Sequence, residues 1–89
     1  MSYQVELRPG LNDEIMRQPL AVQRSIQAAL LRLAEAPTQS RPSRRPYPPG
    51  YQAYPFEHVE SDGRRRGFVI LFKYSQDEQK LWIAGVVPA

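Results

Sequence analysis

Apolar and polar residues alternate at the start of the chain, where Tyr3, Val5 and Leu7 are interleaved with Gln4, Glu6 and Arg8. A period of two marks a half-buried β-strand, and Pro9-Gly10 ends it. The period then lengthens. Asn12 stands where a helix N-cap is expected, followed by the acidic first turn Asp13-Glu14 and the apolar pair Ile15-Met16. Proline is tolerated in the first turn of a helix but not in its interior. Pro19 therefore divides the segment into a short helix over 11–17 and a longer one over 19–36. At about 100° per residue, Val22, Ile26, Ala29, Leu30 and Leu33 of the longer helix form one inward stripe. Arg17, Arg24, Arg32 and Glu35 lie on the other side, and Pro37 closes the helix. Leu31 falls opposite the stripe, near Leu20 and Gln27. It is either a singly exposed leucine, which is ordinary, or part of a second, smaller contact surface. On the second reading Leu20 and Leu31 bind a partner.

The pattern then breaks down. Residues 37–55 hold six of the nine prolines, with Arg41, Arg44, Arg45, Tyr47, Tyr51 and Tyr54 among them. The expectation is an extended, partly polyproline-like surface loop over 37–53 and no regular element. Its arginines and tyrosines suit phosphates and stacked bases; equally, the tyrosines pin a stiff connection to the core. A three-stranded meander follows. Tyr54 to Glu60 forms a strand, Ser61-Asp62-Gly63 a hairpin turn, and Gly67 to Tyr74 a nearly all-apolar strand buried on both faces. After a turn at 76–79, Lys80 to Val87 completes the sheet.

This order describes one α+β domain over residues 1–89. A short and a long helix pack on one face of a mostly antiparallel four-stranded sheet, so that both apolar stripes are buried together. A chain of 89 residues is too short to split into two domains.

Composition narrows the chemistry. The absence of cysteine excludes disulfides, thiolate catalysis and zinc–sulfur sites. The single histidine, His58, has no carboxylates at metal-ligand spacing and no nucleophile at a recognisable elbow. With no phosphate loop and no dinucleotide fingerprint either, neither metal nor cofactor is expected. The longest uninterrupted apolar run, Phe68 to Phe72, is far short of the roughly 18–20 residues of a membrane span. Nothing reads as a signal peptide, so a cytoplasmic protein is expected. The net charge is +3, and ten of the twelve cations are arginine, which suits bidentate contacts to phosphate or carboxylate. Nucleic acid, ribosome and an acidic protein are all compatible partners.

The stretch Leu20-Ala21-Val22-Gln23-Arg24-Ser25-Ile26, running to Leu30, Leu33, Ala36 and Pro37, resembles the helix of the RelE/ParE superfamily of toxins. Members carry a leucine–proline opening, a valine–glutamine pair, spaced leucines and a closing proline; here the opening is reversed as Pro19-Leu20. Phe68-Val69-Ile70-Leu71-Phe72-Lys73-Tyr74 and Leu81-Trp82-Ile83-Ala84-Gly85-Val86 resemble the family's central hairpin, and Tyr3-Gln4-Val5-Glu6-Leu7 its first strand. The likeness spans nearly the whole chain and is one of pattern and order. It implies the toxin of a bacterial type II toxin–antitoxin pair, neutralised in a complex with a cognate, partly acidic antitoxin. An antitoxin segment docking on a sheet edge is expected, at either edge. RelE-like members cleave mRNA in the ribosomal A site, whereas ParE-like members bind and inhibit DNA gyrase. The expected function is RelE-like, acting on ribosome-bound mRNA; if the protein is an enzyme, it is a ribosome-dependent endoribonuclease. The alternatives are a non-catalytic ParE-like toxin, or a non-toxic relative that only binds an antitoxin.

The resemblance breaks at two places. Ribosome-dependent members place an arginine after the aromatic residue of the central strand, where this chain has Val69. Their C-terminal arginine and tyrosine or histidine have no counterpart in Val87-Pro88-Ala89. Cutting RNA through its own 2′-hydroxyl requires a proton acceptor, cations at the phosphorane and an acid for the leaving oxygen. His58, Arg66 and Lys73 are the candidate substitutes, His58 because its ordinary pKa suits proton transfer. Arg64 and Arg65, with Arg41, Arg44 and Arg45, are the candidates for binding RNA or a partner. Each has a blander reading. A lone histidine is commonly a surface residue, Lys73 snorkels from a strand end, and an arginine turn is commonly solvated, here close to Glu57, Glu60 and Asp62.

Overall fold

Gln4–Leu7 forms strand β1 in the computed structural model, which describes residues 3–42, 50–75 and 79–89. Helix α1 (Leu11–Met16) follows, but Asn12 is not its cap. The cap is Gly10, with φ at 85°, a left-handed conformation that glycine adopts without steric cost. The Pro9-Gly10 turn reverses the chain tightly enough to place the cap two residues before Asn12, and the Leu11 amide donates to the Arg8 carbonyl at 3.0 Å.

Helix α2 (Leu20–Glu35) starts after Pro19, as the proline dictates. Gln23 joins the two helices, since its Nε2 donates to the carbonyls of Met16 and Gln18 at 3.1 and 2.8 Å. Those carbonyls lie at the end of α1, where intrahelical partners run out. Val22, Ile26, Ala29 and Leu33 are buried, Leu30 packs at the margin of the core, and Ala34 is buried beyond the expected stripe.

The proline-rich stretch holds more regular structure than expected. Pro37–Gln39 forms a single 3-10 turn and Arg41–Pro42 a two-residue strand, β2, paired antiparallel with Gln52 and Ala53. Strands β3 (Gln52–Val59) and β4 (Arg65–Tyr74) each begin two residues before the pattern suggested. The hairpin turn between them has Gly63 at φ 86°. Of the following turn, residues 76–78 lie outside the described residues. Strand β5 (Lys80–Pro88) completes a sheet of order β1-β5-β4-β3-β2.

The four longer strands make the expected mostly antiparallel sheet, with β1 parallel to β5 and β2 a short addition at the β3 edge. Both helices cover one face. Their apolar side chains meet Phe56, Phe68, Ile70, Phe72, Leu81 and Ile83 in a single core, where the Phe56 and Phe68 rings stack at 5.5 Å. Burying a residue of this size stabilises by roughly 1.5–3 kcal/mol. Phe68 to Phe72 are buried without interruption, so β4 is central and covered on both faces, as its composition required. No helix among the described residues is long and apolar enough to cross a membrane.

Candidate functional site

The alternation of side chains along a strand assigns each candidate to a face. On β4, Phe68, Ile70 and Phe72 point into the core beneath the helices, so Arg66 shares their face, while Val69, Leu71 and Lys73 point away. Cross-strand neighbours share a face. His58 is opposite Arg66, and Trp82 is opposite Lys73. The sheet thus brings His58 and Arg66 together and separates both from Lys73.

His58 is only 4% exposed. Its Nδ1 lies 2.6 Å from Ser25 Oγ of α2, and its Nε2 lies 3.6 Å from Glu60. The second carboxylate oxygen of Glu60 meets Arg66 at 3.4 Å, and the Arg66 guanidinium lies 5.2 Å from the Phe68 ring centre. Ser25, His58, Glu60 and Arg66 therefore form one polar chain from the helix to the sheet margin. A buried imidazole with no hydrogen-bond partner would be costly; here the helix supplies one.

The hairpin arginines are each matched by an acid. Arg64 pairs with Asp62 at 2.7 Å and Arg65 with Glu57 at 3.4 Å. These pairs are well exposed and contribute little stability. Arg41 sits in β2 opposite Ala53, whereas Arg44 and Arg45 lie outside the described residues.

The face away from the helices carries a different grouping. The exposed Lys73 ammonium lies 5.0 Å from the ring centre of Trp82 and 5.5 Å from that of Tyr51. Lys80 belongs to the same face of β5 as Trp82. A cation between aromatic faces suits a phosphate whose neighbouring base stacks on the ring. Tyr51 stood among the loop aromatics read from the sequence. Trp82 did not, although the β4–β5 register places it directly opposite Lys73.

Among the described residues, clefts open on the helix side. One, of about 290 Å³, is lined by residues of α1 and by Arg66 and Phe68. Another, of about 520 Å³, lies between β1 and α2 and includes Leu31. Leu31 is 69% exposed and Leu20 61%, consistent with their place opposite the buried stripe.

No protein-family model and no curated protein match the sequence. Solved structures do resemble its fold. A chain of the toxin–antitoxin complex RelBE2 from Mycobacterium tuberculosis superimposes with a TM-score of 0.71 at 15% identity, over 100% of both chains. A double mutant of the E. coli toxin RelE in its free state superimposes with a TM-score of 0.66, also at 15% identity, over 98% of this chain and 83% of that one. The fold is RelE-like.

Proposed function

We propose that this chain is the growth-inhibiting toxin of a type II toxin–antitoxin pair, RelE-like in action, which works on ribosome-bound mRNA and is neutralised by a cognate antitoxin. The full-length likeness to a chain of the RelBE2 complex carries this reading. The chemistry of the face away from the helices supports it, because Lys73 beside Trp82 and Tyr51, with Lys80 on the same face of β5 as Trp82, offers charge for phosphates and rings for unstacked bases. On this reading Lys73 holds the RNA backbone. His58 and Arg66 act through the Glu60 network that positions the β3–β4 hairpin.

A second reading is a toxin that blocks a host protein such as DNA gyrase without catalysis. The division of the candidate trio favours it, since His58, the candidate for moving protons, is buried on the other face from Lys73.

Tightly induced expression in a bacterial host, with primer extension across abundant mRNAs from the same cultures, separates the two. Growth arrest with new 5′ ends at codons is the expected outcome. Arrest with intact mRNA transfers the assignment to a protein target, and unimpaired growth at every expression level removes the toxin reading.

A further inference from the structure

Helix α2 is amphipathic twice over. Opposite the stripe that enters the core, Leu20, Arg24, Gln27 and Leu31 fall within about 60° of one another around the axis. All four are exposed, the two leucines at 61% and 69%. They follow one another at intervals of four, three and four residues. Alternating intervals of three and four keep one line of side chains facing a neighbouring helix, and such a line is a helix–helix seam.

The seam reads the same in both directions, with a leucine at each end and two polar residues between. An antiparallel copy of the same helix therefore matches it position by position. Leu20 of one copy meets Leu31 of the other, and a two-fold axis repeats the contact. At the centre Arg24 comes opposite Gln27, whose side-chain carbonyl accepts from a guanidinium. The ends match in charge. Arg17, at the turn into α2, and Glu35, its last residue, are exposed and make no ion pair among the described residues. Antiparallel pairing sets Arg17 of each copy beside Glu35 of the other and opposes the two helix dipoles. Parallel pairing would set Arg17 against Arg17 and Arg24 against Arg24, where like charges repel.

We propose that the outer face of α2 is a contact between two copies of this chain. The two helices pack antiparallel about a two-fold axis, with Leu20 on Leu31 and Arg17 on Glu35. Such a dimer leaves Lys73, Trp82 and the face of the sheet away from the helices uncovered, so it stands or falls apart from the toxin reading. One pair of helix faces is small beside a standard protein interface, which makes the association a weak one, of micromolar affinity.

Sedimentation equilibrium of the purified full chain, over a concentration series spanning the micromolar range, tests this. A reversible monomer–dimer equilibrium is expected. Leu20→Glu and Leu31→Glu should each weaken the dimer about tenfold or more, since each sets an unpaired charge against a leucine. Both positions are exposed, so the urea midpoint of either variant should stay close to the parent's. Arg17→Glu and Glu35→Arg should each weaken the dimer about fivefold, by opposing like charges at both ends. Mixing those two charge variants restores opposite charges at both ends, and a heterodimer of near-parent affinity is expected. A chain that stays monomeric across the series, or a dimer indifferent to both leucine substitutions, overturns the proposal. A mixture that associates no better than either charge variant alone rules out the antiparallel pairing and overturns it as well.

Discussion

Ser25 Oγ and His58 Nδ1 approach to 2.6 Å, which makes the only histidine of the chain a fastening between α2 and β3. Ser25→Ala would leave a buried ring nitrogen without a partner, at a cost of about 1–3 kcal/mol. Urea denaturation should show a lower midpoint with an unchanged slope. His58→Ala removes the ring as well and should destabilise more. If His58 instead works only by moving protons, Ser25→Ala will leave stability alone.

Lys73 stands apart from that network. Lys73→Met keeps most of the stem and removes the charge from between Tyr51 and Trp82. Exposed cation–aromatic contacts are worth about 0.5–1 kcal/mol, so unfolding should shift by no more than that. Growth arrest should fall at least tenfold when induction is titrated. Full toxicity in this variant would remove the face away from the helices from the proposed site.

Substitution at the hairpin gives the contrasting result. Arg64 is paired with Asp62 but its side chain is 81% exposed, and such pairs contribute about 0–1 kcal/mol. Arg64→Ala is expected to unfold within 0.5 kcal/mol or so of the parent in thermal or urea melts. A larger loss would mean that the pair is shielded from solvent in a way its exposure does not suggest.

Gly10 provides a backbone test. Its φ of 85° caps α1, and an added Cβ would meet nothing closer than Arg8 Nη1 at 3.9 Å. The cost of Gly10→Ala is therefore conformational, about 1–2 kcal/mol for a left-handed residue. A Tm unchanged by this substitution would show that the turn relaxes freely.

The architecture was legible because its cues are local. Alternation exposed β1, the spacing of Val22, Ile26, Ala29 and Leu33 exposed α2, and the unbroken Phe68–Phe72 run identified the central strand. Where the reading missed, a non-local or backbone effect had intervened. Asn12 looked like a cap because its side chain suits that role, but the left-handed turn at Gly10 had already started the helix. Proline density hid β2, since a two-residue pairing needs only Ala53 and Gln52 opposite and leaves no periodicity. His58, Arg66 and Lys73 were grouped as substitutes for the family's missing arginine and tail groups. Alternation along β4 puts Arg66 and Lys73 on opposite faces, and the β3–β4 register, which only the paired sheet supplies, puts His58 with Arg66. Ser25 gave no signal, because a serine on a helix is unremarkable until its partner is in place.

One register irregularity ties the ends of the chain together. Between Leu71 and Phe72 the pairing with β5 slips by a residue, leaving Ala84 extra, and its carbonyl accepts from Arg8 Nε at 2.8 Å. Arg8 also holds Glu14 of α1 at 2.9 Å. The residues that this latch joins are 76 positions apart. At the ribosome's pace of about 5–20 residues per second, the chain between Arg8 and Ala84 takes some 4–15 seconds to make, so β1 is finished well before the strand it pairs with. Strand β1 stands at the end of the order β1-β5-β4-β3-β2, so it has no strand to pair with until β5 is made.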